Sequence, residues 1–217
     1  MRIATWNIER LRHKSKLPTI TSACENVNAD ILVLTETDSR IKLNHKFLFS
    51  TQPLEDENYY SPTETRVTIY ANYELVRHHA TFDSHTAVCV ELKTKIGNLI
   101  VYGTIIGIYG NRHKSFMDDL LCQVKDIECL AKDNNVCVIG DFNCSFADNY
   151  YFTKDGRAAL EDVFSRNKIS ILTRTQPECI DHIAISDGFI AGMTADITEW
   201  NLEKKLSDHK GIVAELK

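Results

Sequence analysis

Short apolar runs, each stopped by a polar residue or a glycine, recur along the chain and are interleaved with three segments of helical spacing. Residues 136–139 (Val-Cys-Val-Ile) are too few for a helix and read as a buried strand, as do residues 31–34 (Ile-Leu-Val-Leu). Further strands are expected over 2–8, 66–71, 87–93, 99–105, 180–186, 195–200 and 211–216. Turn signals at Asn72 and Gly97-Asn98 break up the middle three-strand stretch, 66–105, which predicts an antiparallel meander. One helix is expected over 17–28, where Ile20, Ala23, Cys24 and Val27 share a face and Pro18 sits in the first turn. A second covers 116–130 through Phe116, Leu120, Leu121, Val124, Ile127 and Leu130, and a third covers 157–164. Residues 10–16 form a basic loop, and 51–65 a long acidic loop carrying Tyr59 and Tyr60.

Composition changes this picture little. The 217 residues are 43% hydrophobic and 25% charged, without a linker or low-complexity tract, so one domain over 1–217 is expected. A formal net charge of −5 excludes a strongly basic nucleic-acid coat, though not a nuclease whose acids are offset by metal ions. The 7 cysteines are odd in number, contain no C-x-x-C pair and fall partly inside apolar patterns. Reduced, buried thiols in a cytoplasmic protein are the economical reading. The chain opens directly into a strand pattern, and no apolar stretch approaches membrane-spanning length. A protein without membrane attachment is expected, with a monomer favoured.

Chemistry gathers at the strand ends. After residues 136–139, Gly140 stops the run, and period-two alternation sends Asp141 and Asn143 to one side with Phe142 turned away. Read alone, this is equally an Asx-type turn. Glu36 follows the apolar run 31–34, where a simple cap is the ordinary alternative. Tyr109 and Asn111 follow two glycines that bracket Ile108, a pattern of close backbone packing; a core Tyr with a turn Asn is the plain reading. Asp181 lies near a strand start, where an acid needs a partner. Asp208-His209 at a strand entrance is the pairing of a metal ligand with a general base. Tyr150, Tyr151 and Phe152 sit together in a polar loop, where packing is the ordinary role and stacking on a base the functional one. His78, His79 and His85, between two strands, match no metal-ligand pattern and read as surface histidines.

Four signals in order change the weighing: Thr-Trp-Asn at 5–7, Leu-Thr-Glu at 34–36, Gly-Asp-Phe-Asn at 140–143 and Ser-Asp-His at 207–209, with Ile-Asp-His-Ile at 180–183 between the last two. Together they resemble the endonuclease/exonuclease/phosphatase superfamily, over residues 2–216. The resemblance implies an α/β fold, a four-layer sandwich of two mixed β-sheets face to face flanked by helices. It implies that Glu36, Asn7 and Asp208 hold Mg²⁺ or Mn²⁺, that Asp141 activates water and that Asn143 binds phosphate. His209 then faces the scissile phosphate and Asp181 orients it. The family places a His or Tyr after the mid-chain strand; here the segment reads Ile-Ile-Gly-Ile-Tyr-Gly-Asn, and Tyr109 and Asn111 take that phosphate-side role by position.

The expected reaction is divalent-metal-dependent hydrolysis of phosphodiester bonds, by a nuclease acting on DNA or RNA. A phosphodiester is anionic and repels hydroxide, so a hard cation with oxygen ligands suits it, which excludes the cysteines as ligands. The basic loop at 10–16, with Lys114, Lys204 and Lys205, would meet a nucleic-acid backbone. The alternative is a phosphatase or phosphodiesterase on a small molecule or lipid headgroup, using the same centre. A binding module with a disabled centre is disfavoured because Glu36, Asp141, Asn143, Asp208 and His209 are all present.

Overall fold

The computed structural model describes residues 1–53 and 59–217. Its strands form two six-stranded sheets. In the first, β1 (Arg2–Asn7) is the centre and runs parallel to β2 (Ile31–Asp38), pairing Asn7 with Thr35. β12 (Gly211–Leu216) lies antiparallel on the other side of β1, followed by β11 (Ala195–Trp200). β4 (Glu64–Ala71) and then β3 (Phe47–Ser50) extend the sheet beyond β2. The second sheet runs β5 (Glu74–His79), β6 (Ala87–Thr94), β7 (Gly97–Ile105), β8 (Val136–Asp141), β10 (Asp181–Ser186) and β9 (Ile169–Ile171). Here β7 and β8 are the parallel pair.

Each parallel pair requires a crossover, and each has a helix. α1 (Leu17–Asn26) joins β1 to β2, and α2 (Phe116–Ala131) joins β7 to β8. α3 (Lys154–Arg166) starts at Thr153, whose side chain accepts from the Gly156 N–H, and lies beside α2. The facing sheets bury Ile3, Val33, Ile69, Val90, Val101, Ile139 and Ile183 between them. α1 covers the outer face of the first sheet through Ile20 and Cys24, against Trp6, Leu32 and Leu34. α2 and α3 cover the second through Phe116, Leu120, Leu160 and Phe164, against Tyr102 and Val138. The four-layer sandwich is therefore present. No helix of the described residues is long and apolar enough to cross a membrane.

Several local expectations need correction. The meander over 66–105 does not form as one unit, because β4 pairs with β2 and β3, and the chain crosses between sheets at Asn72-Tyr73. β5, β6 and β7 make the actual meander. His78 and His79 belong to β5, not to a connection, and His79 is half-buried beside Glu91. β3 (Phe-Leu-Phe-Ser), β5 and β9 (Ile-Ser-Ile) lie outside the expected strands; all three are short edge strands of four, six and three residues. The expected loop at 51–65 lies partly outside the described residues, and β4 already begins at Glu64.

Two buried features under the rim of the second sheet give measurable consequences. Gly140 has φ +137, and a Cβ there would stand 2.0 Å from the Thr104 carbonyl oxygen. Gly140→Ala is expected to lower the unfolding free energy in urea by about 2 kcal/mol or more. His182 is fully buried; its Nδ1 meets the Thr173 hydroxyl at 2.8 Å and its Nε2 the Cys144 carbonyl at 2.8 Å. Burial, only partly offset by the Cys144 carbonyl and by Asp181, pushes its pKa down to about 4. The unfolded chain takes up this proton near pH 6.5, so the neutral ring favours the native state above that pH. The contribution is lost as pH falls, reaching about 3 kcal/mol by pH 4. Unfolding free energies at pH 7 and pH 4 should therefore differ by about that much more in the wild type than in His182→Gln.

Candidate active site

The strand directions decide which residues meet. Asn7 lies at the C-terminal end of β1 and Asp141 at that of β8, with Glu36 late in β2. β10 runs antiparallel to β8 and pairs Asp181 with Asp141, so a residue that starts a strand faces one that ends a strand. β12 runs antiparallel to β1 and pairs Ile212 with Thr5, which puts Asp208-His209 at the same rim. Ligand sites of layered α/β proteins favour this carboxyl end of the parallel strands.

Asn7 links the two sheets. Its Nδ2 donates to Glu36 Oε1 at 3.3 Å and to Asp141 Oδ2 at 3.1 Å, while its Oδ1 accepts from the Glu9 N–H at 2.8 Å. Glu36 has φ +45 within β2. Burial raises the Glu36 carboxyl above its usual range; the Asn7 bond and His209 oppose this, and Asp208 adds to it. Asp141 is also raised, first by burial and then by Asp181, against the pull of His209 and the Asn143 N–H.

The Asx turn after β8 and the site are the same structure. The Asn143 N–H donates to Asp141 Oδ1 at 2.8 Å, and Asn143 takes φ +48. Its Nδ2 donates to the carbonyls of Ile106 at 2.9 Å and Gly107 at 3.3 Å. The Asn143 carbonyl in turn accepts from Asn111 Nδ2 at 2.8 Å, so Asn111 and Asn143 brace the loops after β7 and β8 against each other. Tyr109 makes no such bond among the described residues. Its ring is exposed, 4.9 Å from His113, on the cleft that also holds Glu36.

His209 Nδ1 lies 2.6 Å from Asp181 Oδ2, and its Nε2 lies 3.7 Å from Asp208 Oδ1. Burial alone would lower the imidazole pKa. The pairing with Asp181 and the charges of Asp141 and Asp208 outweigh it, and the ring is held protonated well above its ordinary range. The loop that carries it is fixed by residues to which sequence reasoning gave no role. Trp6 Nε1 and Asn201 Nδ2 donate to the His209 carbonyl at 3.1 and 2.7 Å. The Ser207 hydroxyl donates to the Asn7 carbonyl at 2.7 Å and accepts from the His209 N–H at 3.1 Å. Glu9 Oε2 accepts from the Asp208 N–H at 3.2 Å. Trp200 packs so closely on Gly211 that a Cβ there would meet its ring at 2.0 Å. Trp6 and Ser207 stand inside the quoted motifs and were visible there; Glu9, Asn201 and Trp200 gave no signal.

Two clefts open on this rim. One is lined by Asn143, Tyr150, Asp181, Lys204, Asp208 and His209; the other by Arg10, Glu36, Tyr59, Tyr60, Arg66 and Tyr109. Tyr150 and Lys204 come together across the first, with Nζ 3.1 Å from the phenol oxygen. Phe152 instead packs under Arg157, whose guanidinium lies 3.9 Å from its ring centre.

Among the described residues no three His, Cys, Asp or Glu side chains converge closely enough to hold a metal by themselves. The donor chemistry nevertheless fits a hard divalent cation: carboxylates, an amide and no thiolate, with carboxyls raised by burial and by one another. Magnesium commonly takes one or two protein carboxylates and completes its shell with water and phosphate.

The fold matches known proteins. A comparison with curated proteins by sequence finds no match. Among solved structures, the 3′ phosphatase NExo from Neisseria, solved with a product DNA hairpin, aligns with TM-score 0.73 at 16% identity, over 100% of this chain and 99% of that one. An AP endonuclease from Archaeoglobus fulgidus aligns with TM-score 0.72 at 14% identity, over 100% and 99% of the two chains. The endonuclease domain of TRAS1, a telomere-specific non-LTR retrotransposon, aligns with TM-score 0.65 at 16% identity, over 98% and 96%. The model of the Endonuclease/Exonuclease/phosphatase family matches residues 4–209, from the strand that delivers Asn7 to His209 itself, and the chain belongs to that family of hydrolytic phosphoesterases.

Proposed function

We propose that the protein is a nuclease, hydrolysing phosphodiester bonds of DNA or RNA with Mg²⁺ or Mn²⁺, and that residues 1–217 act as one catalytic domain. The observation that carries this is the pair of linked chains at one rim, Glu36–Asn7–Asp141 and Asp181–His209–Asp208. Glu36, Asn7 and Asp208 would hold the cation. When bound, it neutralises the phosphoryl oxygens and the charge that develops on them. Asp141 is the base that takes a proton from the attacking water, its raised carboxyl suited to work near neutral pH.

His209 donates Nδ1–H to Asp181 and keeps Nε2 on the cleft side, where the protonated ring meets a phosphate oxygen as negative charge grows there. Asn143 offers its amide to phosphate by exchanging the Ile106 and Gly107 carbonyls, with Asn111 holding its loop. Tyr109 stands on the phosphate side next to Glu36. The likeness to a phosphatase bound to a DNA hairpin and to two endonucleases favours nucleic acid over a small phosphate ester. Five of the seven thiols are buried, the setting of inert reduced cysteines, which supports a cytoplasmic location.

The test is a substrate panel of plasmid, single-stranded DNA, RNA, inositol phosphates and bis(p-nitrophenyl) phosphate, with Mg²⁺, Mn²⁺ or EDTA. Metal-dependent release of acid-soluble nucleotide, stopped by EDTA, is expected; cleavage of the small esters alone would overturn the nuclease reading. His209→Ala should lower turnover by about 10³-fold or more while the circular dichroism spectrum stays that of the folded protein, and wild-type activity in that variant would refute its role. Glu36→Gln should raise the Mg²⁺ concentration for half-maximal activity by about tenfold or more.

A further inference from the structure

Of the cleft beside Glu36, the roles above use Glu36 and Tyr109; Arg10, Tyr59, Tyr60 and Arg66 have none. Three tyrosines are exposed among the described residues, Tyr59 at 63%, Tyr109 at 66% and Tyr150 at 50%. All three line one of the two clefts, and two of them line the Glu36 side. Aromatic rings left in water at a phosphoesterase centre are platforms for flat ligands. Tyr59 reaches the cleft from the segment before β4, and Tyr109 from the loop after β7.

The Tyr59 wall is held in place. The Arg10 guanidinium lies 4.7 Å from the Tyr59 ring centre and 4.4 Å from that of Tyr60. Its Nε donates to Glu64 at 2.9 Å and its Nη2 to the Tyr59 carbonyl at 2.6 Å. Arg66 sits 5.4 Å from the Tyr60 ring centre and donates to its phenol oxygen at 3.3 Å. Arg10 reaches this position from a left-handed turn in which Glu9, Arg10 and Leu11 have φ 51, 53 and 51. That conformation is unfavourable for any residue with a Cβ. The same turn places the Glu9 N–H on Asn7 Oδ1, so one local distortion serves the Asn7 amide and this cleft together.

We propose that the Glu36-side cleft is a base-binding subsite, in which the nucleobase next to the scissile phosphate stacks on the exposed faces of Tyr59 and Tyr109. Arg10 and Arg66 brace the wall and supply positive charge for the flanking backbone. The subsite rests on the nuclease reading and deepens it: a diester has two substituents, and the His209-side cleft receives one while this cleft receives the other.

The experiment uses an end-labelled single-stranded oligonucleotide and the same oligonucleotide with one nucleotide replaced by a baseless tetrahydrofuran residue, with Mg²⁺ and Mn²⁺. In the wild type, one of the two bonds flanking the baseless residue should be cut about tenfold more slowly than the same bond in the intact strand. In Tyr59→Ala, the intact bond should slow by a similar factor, and base removal should make no further difference. Tyr59→Phe, which keeps the ring, should restore the wild-type pattern. Wild-type cleavage that is indifferent to base removal, or faster after it, overturns the subsite while leaving the nuclease reading intact. Equal slowing of both strands in Tyr59→Ala overturns it as well. No cleavage of any nucleic acid by the wild type overturns the nuclease reading and the subsite together.

Discussion

One carboxamide holds acids from two separate sheets. Asn7 donates to Glu36 beside it in the first sheet and to Asp141 across in the second. Without such a donor, the buried Asp141 and the partly buried Glu36 would either repel one another apart or take up protons. Both outcomes would leave the rim unable to attract a cation. The raised carboxyls of Glu36 and Asp141 show how far the site already stands toward that limit. The centre is thus organised as a negative well with one positive ring, and a divalent ion is the counter-charge its chemistry suits.

The imidazole is tied into the fold through its backbone. Its backbone is bonded to Trp6, Asn201 and Ser207, and Ser207 reaches back to the Asn7 carbonyl. The loop bearing Asp208-His209 is thereby tied to the strand bearing Asn7, although about two hundred residues separate them in the chain. Trp6 and Trp200 meet edge to face at 5.8 Å beneath this loop, and Gly211 leaves room for the second indole. A side chain whose backbone is bonded at several points loses little entropy when a ligand arrives, which is the usual advantage of preorganisation.

The two clefts divide the rim between two kinds of surface. The His209 side combines Asp181, Asp208, Lys204 and Tyr150, a mixture of charge and one exposed ring. The Glu36 side combines two exposed tyrosines with two arginines. Net charge, negative over the whole chain, conceals this local arrangement; a phosphate backbone responds to the nearby field, and distant exposed charges are screened by salt.

The buried strands and the ordered motifs were legible in the sequence because both depend on local chemistry. An apolar run such as 31–34 or 136–139 has to be covered on both faces, and a polar residue at its end has to emerge at a sheet rim. Glu36, Asp141, Asp181 and His209 could accordingly be named before any fold was known. The edge strands β3, β5 and β9 could not, because runs this short or this mixed do not mark a strand, whereas β11, also at an edge, alternates clearly enough to be read. Nor could the transfer of β4 into the first sheet, since pairing depends on which distant partner buries more surface, and turn residues are silent about that. The amino-acid sequence by itself determined which groups are able to do phosphoester chemistry. Only the tertiary structure decided that they share one rim, that Asp141 and Asn143 close an Asx turn at that rim, and that Asn201, Trp200 and Glu9 hold the loop beside them. Those facts follow from antiparallel and parallel registers joining residues far apart in the chain, where no local spacing carries the information.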